Sequence, residues 1–148
     1  MTGQGEAAGA EPRVGLVVVT HGGLAFELVR AFERIVGPAA RRVRALSIGW
    51  DDDLQQARRG LQEAIGAADG GGGVLILTDM FGGTATNLTL SFLRPGIEIV
   101  TGVNLPMLIK FANLPGGTSL KEAAGIVKEQ GQRAIALATE YVDPARGG

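Results

Sequence analysis

The chain has 148 residues, within the roughly 100–200 expected of one domain, and 45% hydrophobic with 20% charged residues is an ordinary soluble composition. Fourteen basic against 15 acidic side chains leave a formal net charge of -1, so the basic footprint of a nucleic-acid binder is missing, and no apolar run approaches the roughly 18 residues of a membrane span. The chain has no cysteine, which excludes disulfides, thiolate metal sites and cysteine nucleophiles; the first residues lack the basic start and apolar stretch of a signal peptide, which points to the cytoplasm.

Residues 1–12 are small, polar and glycine-rich and are expected to be a flexible tail, as are residues 144–148. The domain is expected over 13–143. Val14 to Val19, VGLVVV, is a continuous β-branched run of the kind covered on both faces in a parallel sheet. Thr20-His21-Gly22-Gly23 interrupts it. Ala25, Leu28, Val29, Phe32, Ile35 and Val36 then recur at helical spacing until Gly37-Pro38 stops the helix.

Arg42 to Trp50 alternates, with Arg44 and Ser47 among Val43, Leu46 and Ile48, so this second strand is expected at a solvent-facing edge. Asp51, Asp52 and Asp53 are cap candidates for a helix whose face is Leu54, Ala57, Leu61, Ala64, Ile65 and Ala68, with Gln55 three residues after Asp52 as in a capping box. Three adjacent carboxylates also suit a hard cation, but before an amphipathic helix they are more often solvated caps.

Val74 to Leu77 is the third strand, and Thr78 to Gly83 forms the loop before a helix expected over about Thr84 to Leu93. Ile97 to Thr101 reads as a fourth strand. Asn104 with Pro106 marks the start of a helix ending near Leu114, and Ser119 with Glu122 forms a capping box for a last helix burying Leu120, Ala123, Val127 and Ile135. Ala136 to Val142 is ambiguous.

Alternating strands and helices predict an α/β domain, a three-layer open and mostly parallel sheet with right-handed crossovers. With the polar second strand at an edge, the simplest strand order is 2-1-3-4. Strands 1 and 3 are then neighbours whose helices lie on opposite faces, which makes their carboxyl ends the switch point where ligands bind. The loops of His21 and Asp79 meet there.

A lone loop histidine is commonly solvated or a cap, and a lone aspartate before a helix is commonly its cap. What separates His21 and Asp79 from those readings is that their loops should face each other. A carboxylate beside imidazole fixes the tautomer and leaves the other ring nitrogen as a nucleophile. Gly22, Gly82, Gly83 and Thr84 add backbone N–H groups and a hydroxyl near a helix N-terminus, suited to phosphate. The combination suggests phosphohistidine chemistry. No G-x-x-x-x-G-K-[ST] and no G-x-S-x-G occurs, and the GxG at Gly3 and Gly5 lies in the tail rather than after a strand, so nucleotide and serine-hydrolase sites are poor alternatives.

THGG after strand 1, TDMFGGTATN after strand 3 and VTGVNLPML after strand 4 resemble, in order and in position, the IIA domain of the mannose/fructose/sorbose-type phosphoenolpyruvate-dependent sugar phosphotransferase system (PTS). The resemblance spans about Val14 to Tyr141. It implies a phosphoryl relay without cofactor or obligatory metal: His21 accepts a phosphoryl group from the phosphocarrier protein HPr and passes it to a IIB component, Asp79 hydrogen-bonds the imidazole, and Thr84 contacts the phosphate.

The resemblance also implies a homodimer, in which an antiparallel C-terminal strand exchanged between subunits accounts for Ala136 to Val142. Two positions depart from the pattern: Ala85 stands where the family has proline, and Gly23 where an aromatic residue is common. Both loosen a loop while leaving each chemical group in place. With no fused IIB domain expected, the acceptor is a separate protein. A phosphorylation-dependent regulator of a separate target, or a phosphotransfer subunit serving dihydroxyacetone kinase, are the alternatives.

Overall fold

The computed structural model describes residues 11–39, 43–49 and 53–146. Four strands, β1 (Arg13–His21), β2 (Val43–Ile48), β3 (Gly71–Thr78) and β4 (Ile97–Val100), form one sheet in the order β2-β1-β3-β4, with every neighbouring pair parallel. The expected strand order and edge position of β2 hold. Five helices connect and cover them: α1 (Leu24–Val36), α2 (Leu54–Ala68), α3 (Gly83–Leu90), α4 (Leu105–Ala112) and α5 (Leu120–Arg133).

Successive strand residues point to opposite faces, so the continuous apolar runs of β1 and β3 divide between two cores. Val17, Val19, Val74 and Ile76 pack with Ala57, Leu61, Ile65 and Ala68 of α2 and Leu88 of α3. Leu16, Val18, Leu75 and Leu77 pack on the other side with Ala25, Val29 and Phe32 of α1, Met107 and Leu108 of α4, and Val127 of α5. Each fully buried Val or Leu contributes about 1.5–3 kcal/mol of transfer free energy. The helices after β1 and β3 therefore lie on opposite faces, and this opens the switch point between the two strands.

Several element ends differ from expectation for local reasons. The cap of α2 is Asp53, whose carboxylate accepts the Gln55 N–H at 2.9 Å; Arg42, Trp50, Asp51 and Asp52 lie outside the described residues. Helix α3 stops at Leu90 instead of Leu93 because the chain beyond it tightens to three-residue backbone bonds, Phe92 N–H to the Thr89 carbonyl at 3.0 Å and Leu93 N–H to the Leu90 carbonyl at 3.1 Å. Helix α4 ends at Ala112 rather than Leu114, with Asn113 as its cap.

The Ser119–Glu122 capping box forms as expected, but α5 ends at Arg133, and Ile135, assigned to its buried side, is 78% exposed. Its helical spacing continues past the point where the chain leaves the core. Within one chain, the stretch Ala136 to Val142 contains a 3-10 turn over residues 138–140 and pairs with no strand among the described residues. Of the N-terminal tail only Glu11 and Pro12 are described, both exposed; at the other end residues 144–146 form a 3-10 turn and 147–148 lie outside the described residues.

Candidate functional site

Register sets the site. Val19 of β1 pairs with Thr78 of β3, so His21, the last residue of β1, and Asp79, the first beyond β3, leave the sheet side by side. Asp79 Oδ2 accepts two hydrogen bonds from the one histidine, from the backbone N–H at 3.0 Å and with ring Nδ1 at 2.9 Å, while Asp79 Oδ1 accepts the Met80 N–H at 2.9 Å. Burial pushes the Asp79 carboxyl up, but the His21 ring and backbone hydrogen bonds, the charge of His21 and the Met80 N–H outweigh it and hold the group below its ordinary value. An ionised carboxylate only accepts, so Nδ1 is the ring nitrogen that donates to Asp79, and in the neutral ring the lone pair is then on Nε2.

The other face of the ring meets the start of α3. Gly82 precedes that helix with φ +111° and Gly83 opens it with φ +79°, a left-handed region that side-chain-bearing residues rarely adopt. A Cβ added to Gly83 would sit 3.8 Å from His21 Nε2. The backbone N–H groups of a helix N-terminus are thus within reach of whatever Nε2 holds. Gly22, also left-handed at φ +55°, turns the chain out of β1, and Thr84 follows in the first turn of α3.

Two braces around the site were not legible as such in the sequence. The buried Thr86 hydroxyl reaches the carbonyls of Met80 and Gly82 at 2.7 and 2.9 Å, latching the Asp79 loop onto its own helix. The third motif braces from outside: Val103 N–H donates to the Thr78 carbonyl at 2.9 Å, and Asn104 caps α4 through Met107 N–H at 3.2 Å while its amide donates to Gly131 of α5 at 3.1 Å. Its residues position Asp79 rather than line the site. A cavity of about 690 Å³ opens at the far end of β1, lined among others by Arg13, Phe111, Leu114 and Thr118; it contains none of the predicted site residues.

Four large apolar side chains close in sequence to the His21–Asp79 pair are exposed, Leu24 and Phe26 at the start of α1 and Met80 and Phe81 after Asp79, Phe81 by 64%. No helix among the described residues is long and apolar enough to cross a membrane.

Comparison with known proteins bears on the family and the fold. The EIIA-man family model, described as PTS system fructose IIA component, matches residues 15–128. The PTS system fructose-specific EIIA component of Bacillus subtilis (strain 168) is 31% identical over 75 residues, 49% of this chain and 51% of that relative, so the match spans about half of its length. Among solved structures, the mannose/sorbose specific IIA subunit of the phosphotransferase system from Enterococcus faecalis superposes with a TM-score of 0.74 at 28% identity, covering 86% of this chain and 95% of that one. The PTS IIA protein associated with the fucose utilization operon from Streptococcus pneumoniae shares the fold, with a TM-score of 0.74 at 24% identity over 88% of this chain and 97% of that one. The family match covers both switch-point loops, strands β2 to β4 and all of β1 from Gly15 on: this chain belongs to the EIIA-man family of PTS IIA components.

Proposed function

We propose that the protein is a phosphoryl relay in which His21 Nε2 accepts a phosphoryl group from the phosphohistidine of HPr and passes it to a IIB component. The observation that supports this most is the double hydrogen bond of His21 to Asp79 Oδ2, which fixes the ring from backbone and side chain together. In the transfer, the Nε2 lone pair forms a new N–P bond as the donor's N–P bond breaks, and the donor imidazole keeps the bonding pair. No proton changes place. Nδ1–H stays donated to Asp79, whose negative charge offsets the positive charge that develops on the ring. The N-terminal N–H groups of α3 at Gly83, with the Thr84 hydroxyl, receive the phosphoryl oxygens, and Gly22 leaves room for them. Such chemistry is positioning plus charge stabilisation and draws on no nucleotide.

The exposed apolar rim of Leu24, Phe26, Met80 and Phe81 supports a macromolecular donor and acceptor, because a protein partner covers such a rim while bringing its own histidine to Nε2. The balanced charge and the absence of a membrane-length apolar helix among the described residues accord with a cytoplasmic relay. A homodimer accords with the C-terminal stretch, where Ile135, Leu137, Tyr141 and Val142 are all more than half exposed within one chain. Incubation with phosphoenolpyruvate, the general phosphotransferase enzyme and HPr tests the reading. The protein should take up one phosphoryl group that is labile in acid and stable in base; an acid-stable label, or none, would contradict it.

A further inference from the structure

Both polar backbone groups of Gly22 are held by the end of the edge strand. Its N–H donates to the Ile48 carbonyl at 3.3 Å, and its carbonyl accepts a hydrogen bond from the Ser47 hydroxyl. Ser47 is the register partner of Thr20 across the β1–β2 pair, so the two side chains stand next to each other on one face of the sheet. Thr20 ties down the other end of the same turn: its fully buried Oγ1 accepts the Ala25 N–H at 2.7 Å. That bond does a cap's work for α1, because the residue at the cap position, Gly23, has no side chain to supply it. Two hydroxyls from adjacent strands thus hold both sides of His21-Gly22-Gly23-Leu24.

The turn needs such a clamp. Two consecutive glycines follow the histidine, and with no Cβ they leave the backbone free in directions other residues could not take. The Asp79 bonds fix the imidazole relative to β3, but they bear on His21 alone. If Gly22 swings, the His21 backbone rotates and the ring trades its Nδ1 bond against the direction of Nε2. We infer that Ser47, through its bond to the Gly22 carbonyl and beside the Thr20 bond to the Ala25 N–H, is a positioning residue for phosphoryl transfer at His21. The inference rests on the relay reading above. Ser47 does not reach the ring and takes no part in bond making; it sets the peptide from which the ring hangs.

The test compares wild type with Ser47→Ala, Ser47→Cys and Ser47→Thr. Cysteine keeps the size with a much weaker donor, and threonine keeps the hydroxyl. Single-turnover phosphorylation by phospho-HPr is measured across HPr concentrations, alongside the 15N signals of the imidazole, which are unambiguous because His21 is the chain's only histidine. Ser47→Ala and Ser47→Cys should lower the saturated transfer rate roughly 5- to 20-fold, short of the roughly 100-fold that a 1 Å misplacement can cost. The half-saturating HPr concentration should be unchanged, the ring signals should move, and Ser47→Thr should restore both rate and signals. Wild-type rates and ring signals in folded Ser47→Ala and Ser47→Cys would overturn the inference. Failure of wild type to accept phosphoryl groups would overturn the relay reading instead, and the imidazole signals would still decide whether Ser47 positions the ring: unmoved signals overturn that too.

Discussion

A single carboxylate oxygen, Asp79 Oδ2, accepts from both the backbone N–H and the ring of His21, at 3.0 and 2.9 Å. The arrangement couples the end of β1 to the end of β3 through one side chain, so the orientation of the imidazole is fixed by the register of the sheet. With side chains only 21% and 15% exposed, the pair is partly shielded from solvent screening, unlike the surface pair Arg30–Glu27.

Asp79→Asn should therefore fold with the wild-type structure and transfer phosphate more slowly, by roughly 10-fold or more, because electrostatic stabilisation of the charge that develops on the ring is lost. The amide keeps the shape but loses the charge that stabilises the imidazolium. Stopped-flow transfer from phospho-HPr checks this, and an unchanged rate would leave Asp79 a structural tie between strands.

The lowered pKa of Asp79 has a sign that can be checked against pH. A carboxyl that is more acidic folded than unfolded adds stability above its unfolded value, about 3.9, and loses it as pH falls through the lower folded value. The melting temperature of wild type should exceed that of Asp79→Asn near neutral pH, with the gap closing as pH drops below about 3.9. A gap that widened in acid would mean the bond is made by a protonated carboxyl.

Phe81→Ser and Met80→Ser should raise the HPr concentration needed for half-maximal transfer several-fold while the saturated rate stays near wild type. Both side chains lie on the exposed rim and make none of the bonds that hold His21. The opposite pattern, a slower saturated rate at unchanged half-saturation, would assign them to loop geometry instead of docking.

Light scattering should give a mass near twice 15.3 kDa, and truncation after Ala136 should lower that mass or the thermal stability. A monomeric wild type whose truncation has no thermal effect would contradict the exchanged strand without touching the relay, because the relay's groups stand on the loops of β1 and β3.

Much of this was legible in the sequence because it follows from local pattern. The runs Val14 to Val19 and Val74 to Leu77 and the polar alternation of β2 sufficed for the strand order, and the order alone brought His21 to Asp79. What was not legible depends on contacts between elements. Ser47 looked like one more polar residue of an edge strand, yet its hydroxyl points to the turn of a different strand. Thr86 carries no pattern that distinguishes a helix residue from a latch on the preceding loop. Ile135 kept the helical period beyond Arg133, where no core remains for it to face. In Ala136 to Val142 the apolar residues promise burial, but none of the described residues of the same chain covers them.

If His21 is the phosphoryl acceptor, intact-mass measurement of wild type and His21→Ala, each incubated with phosphoenolpyruvate, the general phosphotransferase enzyme and HPr, will separate the two. Wild type should gain the mass of one phosphoryl group and His21→Ala none. Equal gains would contradict the account, since the chain has no second histidine to take the label.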